Sequence, residues 1–109
     1  MKWKIEFTDQ AKRDLRDILD YITNELQEPQ VAVKLVRQIT KEIISLDQMP
    51  MRYRLYDEEP WKSQGLRYFS VKNHLIFYCA DETQNTVYTV RIIYGGRDIS
   101  HQLNEIDPI

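Results

Sequence analysis

The chain has 109 residues, of which 42% are hydrophobic and 29% charged, and its formal net charge is −2 with a pI near 5.7. That length suits one domain with a modest core, and the near-balanced charge excludes the bulk basic field that drives general nucleic-acid binding. One cysteine excludes an internal disulfide, and beside two histidines it makes a poor zinc set.

The start, "MKWKIEFTD", breaks with charge too early for a secretory leader, and no apolar run approaches the ~20 residues of a membrane span. A soluble, cytoplasmic protein with no membrane contact, no metal, no cofactor and no small-molecule substrate is the expectation. "KWKIEF" alternates, with Trp3, Ile5 and Phe7 on one face and Lys2, Lys4 and Glu6 on the other, which predicts a half-buried strand. Thr8 then offers a hydroxyl N-cap, and Asp9 places an anion in the first helical turn. Ala11, Leu15, Ile18, Leu19, Ile22 and Leu26 recur at helical spacing opposite a charged face.

"QEPQ" interrupts this helix, and Pro29 is placed to open a second one. Its stripe is Ala32, Leu35, Val36, Ile39, Ile43 and Leu46. Two amphipathic helices with a short joint form an antiparallel hairpin, and neither stripe is satisfied by the other alone, so the pair should lie on a sheet. "QMPMRYRLYDEEPWKSQG" reads as a loop with at most a short extended piece. "LRYFSV", "HLIFYCA" and "TVYTVRIIY" then read as three antiparallel strands joined by "VKNH" and "DETQN" turns. The expected architecture is α+β in a single domain over 1–109: strand 1–7, helical hairpin 8–48, loop 49–65, antiparallel strands 66–94 and a C-terminal tail 95–109.

Several groups carry possible chemistry. In "RIIYGGRDI" an apolar strand meets two glycines and an Arg97–Asp98 pair. The pattern lacks the lysine and the helix of a phosphate-binding loop and the third glycine of a dinucleotide fingerprint. Adjacent glycines more simply permit positive φ, so the chain turns off the sheet. Arg97 is then either a surface partner of Asp98 or a group that grips phosphate or a carboxylate. Arg67, Lys72 and His74 make a possible basic rim near it, in which a histidine, a residue type whose reference pKa lies near neutrality, would serve as general acid or base; the plainer reading is two solvated turn residues. The six tyrosines between Tyr53 and Tyr94 serve either base stacking or ordinary strand packing. Asp57–Glu59 has no assignable metal partner and reads as a solvated loop, and Cys79 as a buried strand thiol.

Taken in order, "FTDQAKRDLRDILDYI", "GLRYFSVKNHLIFYCAD" and "VYTVRIIYGGRDI" resemble the ParE/RelE toxins of type II toxin–antitoxin systems, over about residues 4 to 103. The resemblance implies a helical hairpin on a sheet, a growth-inhibiting and plasmid-stabilising role, and a cognate antitoxin that wraps the hairpin and the groove beside the sheet. Its two branches differ. RelE-like members are ribosome-dependent messenger-RNA endoribonucleases, for which Arg67, Lys72, His74, Tyr94 and Arg97 would be the crew here. ParE-like members poison DNA gyrase without being nucleases, and Tyr94, Arg97 and Asp98 would then meet the target. The match leans to ParE. Leu75 stands where a ribonuclease has an arginine, and Leu103 falls near its C-terminal tyrosine. A net charge of −2 also suits the ribosome poorly. An inactive relative that only binds antitoxin is the third reading.

Overall fold

The computed structural model describes residues 2–95 and 99–103. β1 (Lys4–Phe7) leads into α1 (Asp9–Asp20), a π turn (Tyr21–Glu25) and α2 (Pro29–Ile44); 3-10 turns at Ser45–Asp47 and Pro50–Arg52 follow. β2 (Arg67–Val71), β3 (His74–Asp81) and β4 (Thr86–Tyr94) come next, then a short α3 (Ile99–Leu103). The sheet order is β1-β4-β3-β2. The last three strands pair antiparallel as expected, and β1 adds parallel to β4, Lys4 opposite Thr86 and Phe7 opposite Thr89. The sheet is therefore mixed: the helical hairpin carries the chain from β1 to β2 at the far edge, and two antiparallel reversals bring β4 back beside β1.

Local chemistry sets the helix limits. Thr8 accepts from Ala11 N–H at 3.1 Å and donates to Val90 O at 3.2 Å, so one hydroxyl caps α1 and ties it to β4. Pro29 opens α2. Between the helices Leu26 N–H donates to Tyr21 O at 3.2 Å, five residues back, and Gln27 turns the chain at φ +55. The wider turn breaks the helical phase. Leu26, expected on the buried stripe, is instead 53% exposed.

One core lies between the helices and the sheet, built on Ile39, Ile43, Leu46, Phe69, Val71, Ile76, Tyr78, Val87 and Ile92. The opposite sheet face is also covered. Leu66, Phe77, Cys79, Val90, Ile93 and Leu103 are buried there beneath Tyr56 and Trp61 of the loop and Ile99 of α3. The expected tail thus contains a helix whose Ile99 and Leu103, four residues apart, pack one face on the sheet. The expected loop likewise holds a bridge at Leu55 opposite Arg67, and it forms the second layer.

A bulge at Val90, where Phe77 pairs with Arg91 while Tyr78 pairs with Thr89, reverses the alternation of β4. Val87 and Ile92 consequently face the helices, and Val90 and Ile93 the second layer. β1 ends at Phe7, so β4 beyond Thr89 is an edge. Asp14 of α1 closes it: Oδ2 accepts from Ile92 N–H at 2.9 Å and from Arg91 Nε at 2.8 Å, and Oδ1 from Arg91 Nη2 at 3.3 Å. Arg91 Nη1 also donates to Gln102 O of α3 at 2.9 Å. The side chains of this pair are 7% and 13% exposed.

Burial raises the Cys79 thiol from 9.0 to about 11 and the Tyr78 hydroxyl from 10.0 to about 12, and Tyr78 donates to Pro50 O at 2.6 Å. Both groups hold their proton more tightly folded than unfolded, so their contribution is complete below pH ~9 and declines above it. Urea melts should accordingly show a falling midpoint between pH 9 and 11. Removing one partner of a buried ion pair costs about 3–5 kcal/mol, and removing both costs less. Asp14→Ala should lower stability by about that amount in urea melts, and Asp14→Ala with Arg91→Leu should recover part of it.

Candidate functional site

A groove of about 810 Å³ runs between α1, α2 and the end of β4. Ile18 and Ile22 of the first helical segment, Leu35 of α2 and Ile92 of β4 supply its apolar lining. Tyr21, Leu26, Val31 and Tyr94 line it while remaining 58%, 53%, 52% and 48% exposed. Those four are among seven large hydrophobic residues exposed in the described structure, so exposure concentrates here. Asp17 of α1 lies on one side, and Lys34 and Gln38 of α2 with Lys72 and Asn73 of the β2–β3 turn line the remainder. None of Asp17, Lys34 and Lys72 has an ion-pair partner among the described residues.

Of the residues singled out from sequence, Lys72, His74 and Tyr94 meet in this groove. His74 and Tyr94 are cross-strand partners with ring centroids 5.6 Å apart. Lys72, at φ +54, occupies the tight turn beside them. Arg67 does not join them. Its Nη1 donates to Tyr53 O at 2.6 Å and Met51 O at 3.3 Å, which pins the loop to the sheet. Leu75 packs into the second layer, and Leu103 is fully buried there. Arg97 and Asp98 lie outside the described residues. Gly95 is described and does not take the positive φ anticipated for the glycine pair. It is needed for space, because its N–H donates to Asn73 O at 2.8 Å and an added Cβ would stand 3.3 Å from that oxygen.

The remaining candidates resolve structurally. Tyr53 stacks on Phe69 at 4.5 Å, and Tyr56, Tyr68 and Phe77 pack within 5.5 to 5.7 Å of one another, so these tyrosines are core. Arg54 lies 4.9 Å over the Tyr68 ring, and Arg52 caps the end of the helical hairpin through Ser45 O and Gln48 O. In the acidic loop Glu59 accepts from the Ser63 hydroxyl and N–H, and those bonds hold its carboxyl below the usual value. Asp57 pairs with Lys62 at 3.2 Å. Among the described residues no group of His, Cys, Asp and Glu gathers as a metal site, and no helix is long and apolar enough to cross a membrane. Reading the sequence for buried stripes missed Tyr21, Val31, Lys34 and Gln38. The available signal was apolar residues lying off the α2 stripe, at Val31 and Val33.

Comparison with known proteins agrees with this architecture. Residues 5–99 match the family model of the ParE toxin of type II toxin–antitoxin systems, parDE. None of the curated proteins matches. Among solved structures, the chromosomal ParDE system of P. aeruginosa is similar with a TM-score of 0.69 at 21% identity, covering 85% of this chain and 96% of that one. The RelBE2 toxin–antitoxin complex of Mycobacterium tuberculosis gives 0.64 at 18%, covering 86% and 99%. A mutant of the E. coli toxin RelE in the free state gives 0.67 at 11%, covering 96% and 94%. These likenesses establish the fold, and the family match establishes membership: the chain belongs to the ParE toxin family of type II toxin–antitoxin systems.

Because Leu26 and Val31 line the groove exposed, their loss should leave the fold intact. Leu26→Ser with Val31→Ser should change stability by no more than about 0.5 kcal/mol per site. It should also reduce binding of an environment-sensitive apolar dye, read by fluorescence titration of the native protein.

Proposed function

We propose that this toxin stops growth by poisoning DNA gyrase in the cytoplasm, and that a cognate antitoxin neutralises it by seating an apolar segment in the groove. The observation that supports the target assignment is that Arg67, the described arginine of the ribonuclease crew, stands apart from the others. Arg67 is engaged by two loop carbonyls, and the position where a catalytic arginine would stabilise phosphate charge is Leu75, packed in the second layer. Charge supports the same reading, since a chain at net −2 gains little from phosphate neutralisation on the ribosome. In this reading Tyr94, Arg97 and Asp98 contact gyrase, and the protein acts by binding.

One observation favours a second reading, that of a ribosome-dependent messenger-RNA endoribonuclease. Lys72, His74 and Tyr94 do converge in the groove, and a histidine beside a lysine and a phenol is a reasonable proton-transfer group. Arg97 would then complete the set.

A supercoiling assay with purified toxin, relaxed plasmid, gyrase and ATP separates the two. Accumulation of linear DNA after protease treatment is the expected outcome, reversed by antitoxin. Arg97→Ala should raise the toxin concentration for half-maximal effect about tenfold or more, as loss of a central interface arginine does. Normal supercoiling by a folded protein that still arrests growth would reject the gyrase reading, and ribosome-dependent cleavage abolished by His74→Ala would establish the second.

A further inference from the structure

We infer that Lys72 is a target-binding residue, kept in the β2–β3 turn at a cost in backbone conformation so that its ammonium meets a carboxylate on the surface of gyrase. This rests on the reading of the protein as a gyrase-binding toxin, and adds to Tyr94, Arg97 and Asp98 a further contact and the chemistry it recognises.

Two hairpin turns of the same sheet hold a non-glycine residue at positive φ, and they differ in which residue that is. In the β3–β4 turn it is Asn85, at φ +53. Asparagine adopts this region at little cost, and its amide here donates to Lys2 O at 3.1 Å, so the residue braces the fold. In the β2–β3 turn, Val71 and His74 are joined by two residues, and the one at φ +54 is Lys72. Asn73, which would take that conformation more cheaply, stands one place later and has no positive φ. Short hairpin connections demand positive φ, and glycine, asparagine or aspartate ordinarily supplies it. Lysine has no short side-chain acceptor with which to brace the turn in return.

The turn is clamped where it is. Gly95 N–H donates to Asn73 O at 2.8 Å, and a Cβ on Gly95 would stand 3.3 Å from that oxygen, so the turn and the end of β4 leave each other no slack. His74 and Tyr94 pair across the strands beside it. Strain in a backbone persists where the surroundings over-determine it, and it concentrates at functional positions. The ammonium has no structural use to explain it: Lys72 is exposed and has no ion-pair partner among the described residues. Its complement is an anion. A protein carboxylate fits better than a nucleic-acid phosphate, because a chain at net −2 gains little beside a polyanion. The half-exposed Tyr94 and the apolar lining next to Lys72 are also surroundings suited to a protein contact, where excluded water strengthens a charge pair.

Three variants of the full-length toxin separate charge from strain. Lys72→Asn removes both, Lys72→Gln removes the charge alone, and Lys72→Arg keeps both. Lys72→Asn should raise the urea midpoint by roughly 0.3 M, while Lys72→Gln and Lys72→Arg leave it near that of the native protein. In cells without antitoxin, Lys72→Asn and Lys72→Gln should need about tenfold more toxin to arrest growth, and Lys72→Arg should stay within about twofold of the native protein. Fluorescence anisotropy of labelled toxin on gyrase without DNA should show the same losses. Full arrest by Lys72→Asn and Lys72→Gln would overturn the assignment, and if those variants also escaped the antitoxin, Lys72 would serve neutralisation instead. A loss of affinity seen on the gyrase–DNA complex but not on gyrase alone would overturn the carboxylate in favour of phosphate. An unchanged urea midpoint in Lys72→Asn would overturn the conformational cost. Native toxin that arrests growth without binding gyrase would overturn the gyrase reading, and with it the partner named here, whatever the variants do.

Discussion

The arrangement depends on one carboxylate. Asp14 joins α1 to the part of β4 that β1 does not reach, and through Arg91 it joins both to α3. A buried ion pair of this sort is not a source of stability by default, because desolvating two charges costs several kcal/mol per ion. It is tolerable here because both Asp14 oxygens accept bonds and the Arg91 guanidinium donates to Asp14 and to Gln102 through all three nitrogens. The gain is geometrical. The Ile92 N–H, on a strand that is central at Thr86 and an edge at Ile92, is occupied, and the first helix is tied to β4 beside the groove.

The second constraint is that the sheet is covered on both faces by a short chain. With one helical hairpin for one face, the other must be covered by whatever remains, and the polar-looking segment before β2 does so with Tyr56 and Trp61 while α3 contributes Leu103. Arg67 belongs to this economy. Its bonds to the carbonyls of Met51 and Tyr53 hold the covering segment in place, as the Tyr78 hydroxyl does through Pro50. A basic residue on a strand was therefore structural for a reason visible only once the loop had a position.

The strand at Lys4–Phe7, the Thr8 cap, the Pro29 start and the hairpin turns were legible because each rests on chemistry local in sequence. The parallel docking of β1, the Val90 bulge and the second layer were not, since each depends on contacts between residues far apart. Leu26 shows how a local error propagates. Its spacing from Ile22 and Ile18 is helical, but a π turn between them shifts its direction from the core to the groove. In the candidate site, Lys72, His74 and Tyr94 were found because turns bring their neighbours together. The helical wall of Tyr21, Val31, Lys34 and Gln38 was hidden, because the stripe argument asks only what is buried and this wall consists of what is not.

That wall bears on how neutralisation would work. The groove that offers apolar surface to an antitoxin is lined by Lys72, His74 and Tyr94, the described residues that the two target readings draw on. An occupant seated there would lie over the groups that either proposed target draws on. On the proposed function antitoxin and target would compete for one surface, and neutralisation would then require no conformational change in the toxin, only an antitoxin that binds the groove more tightly than the target does.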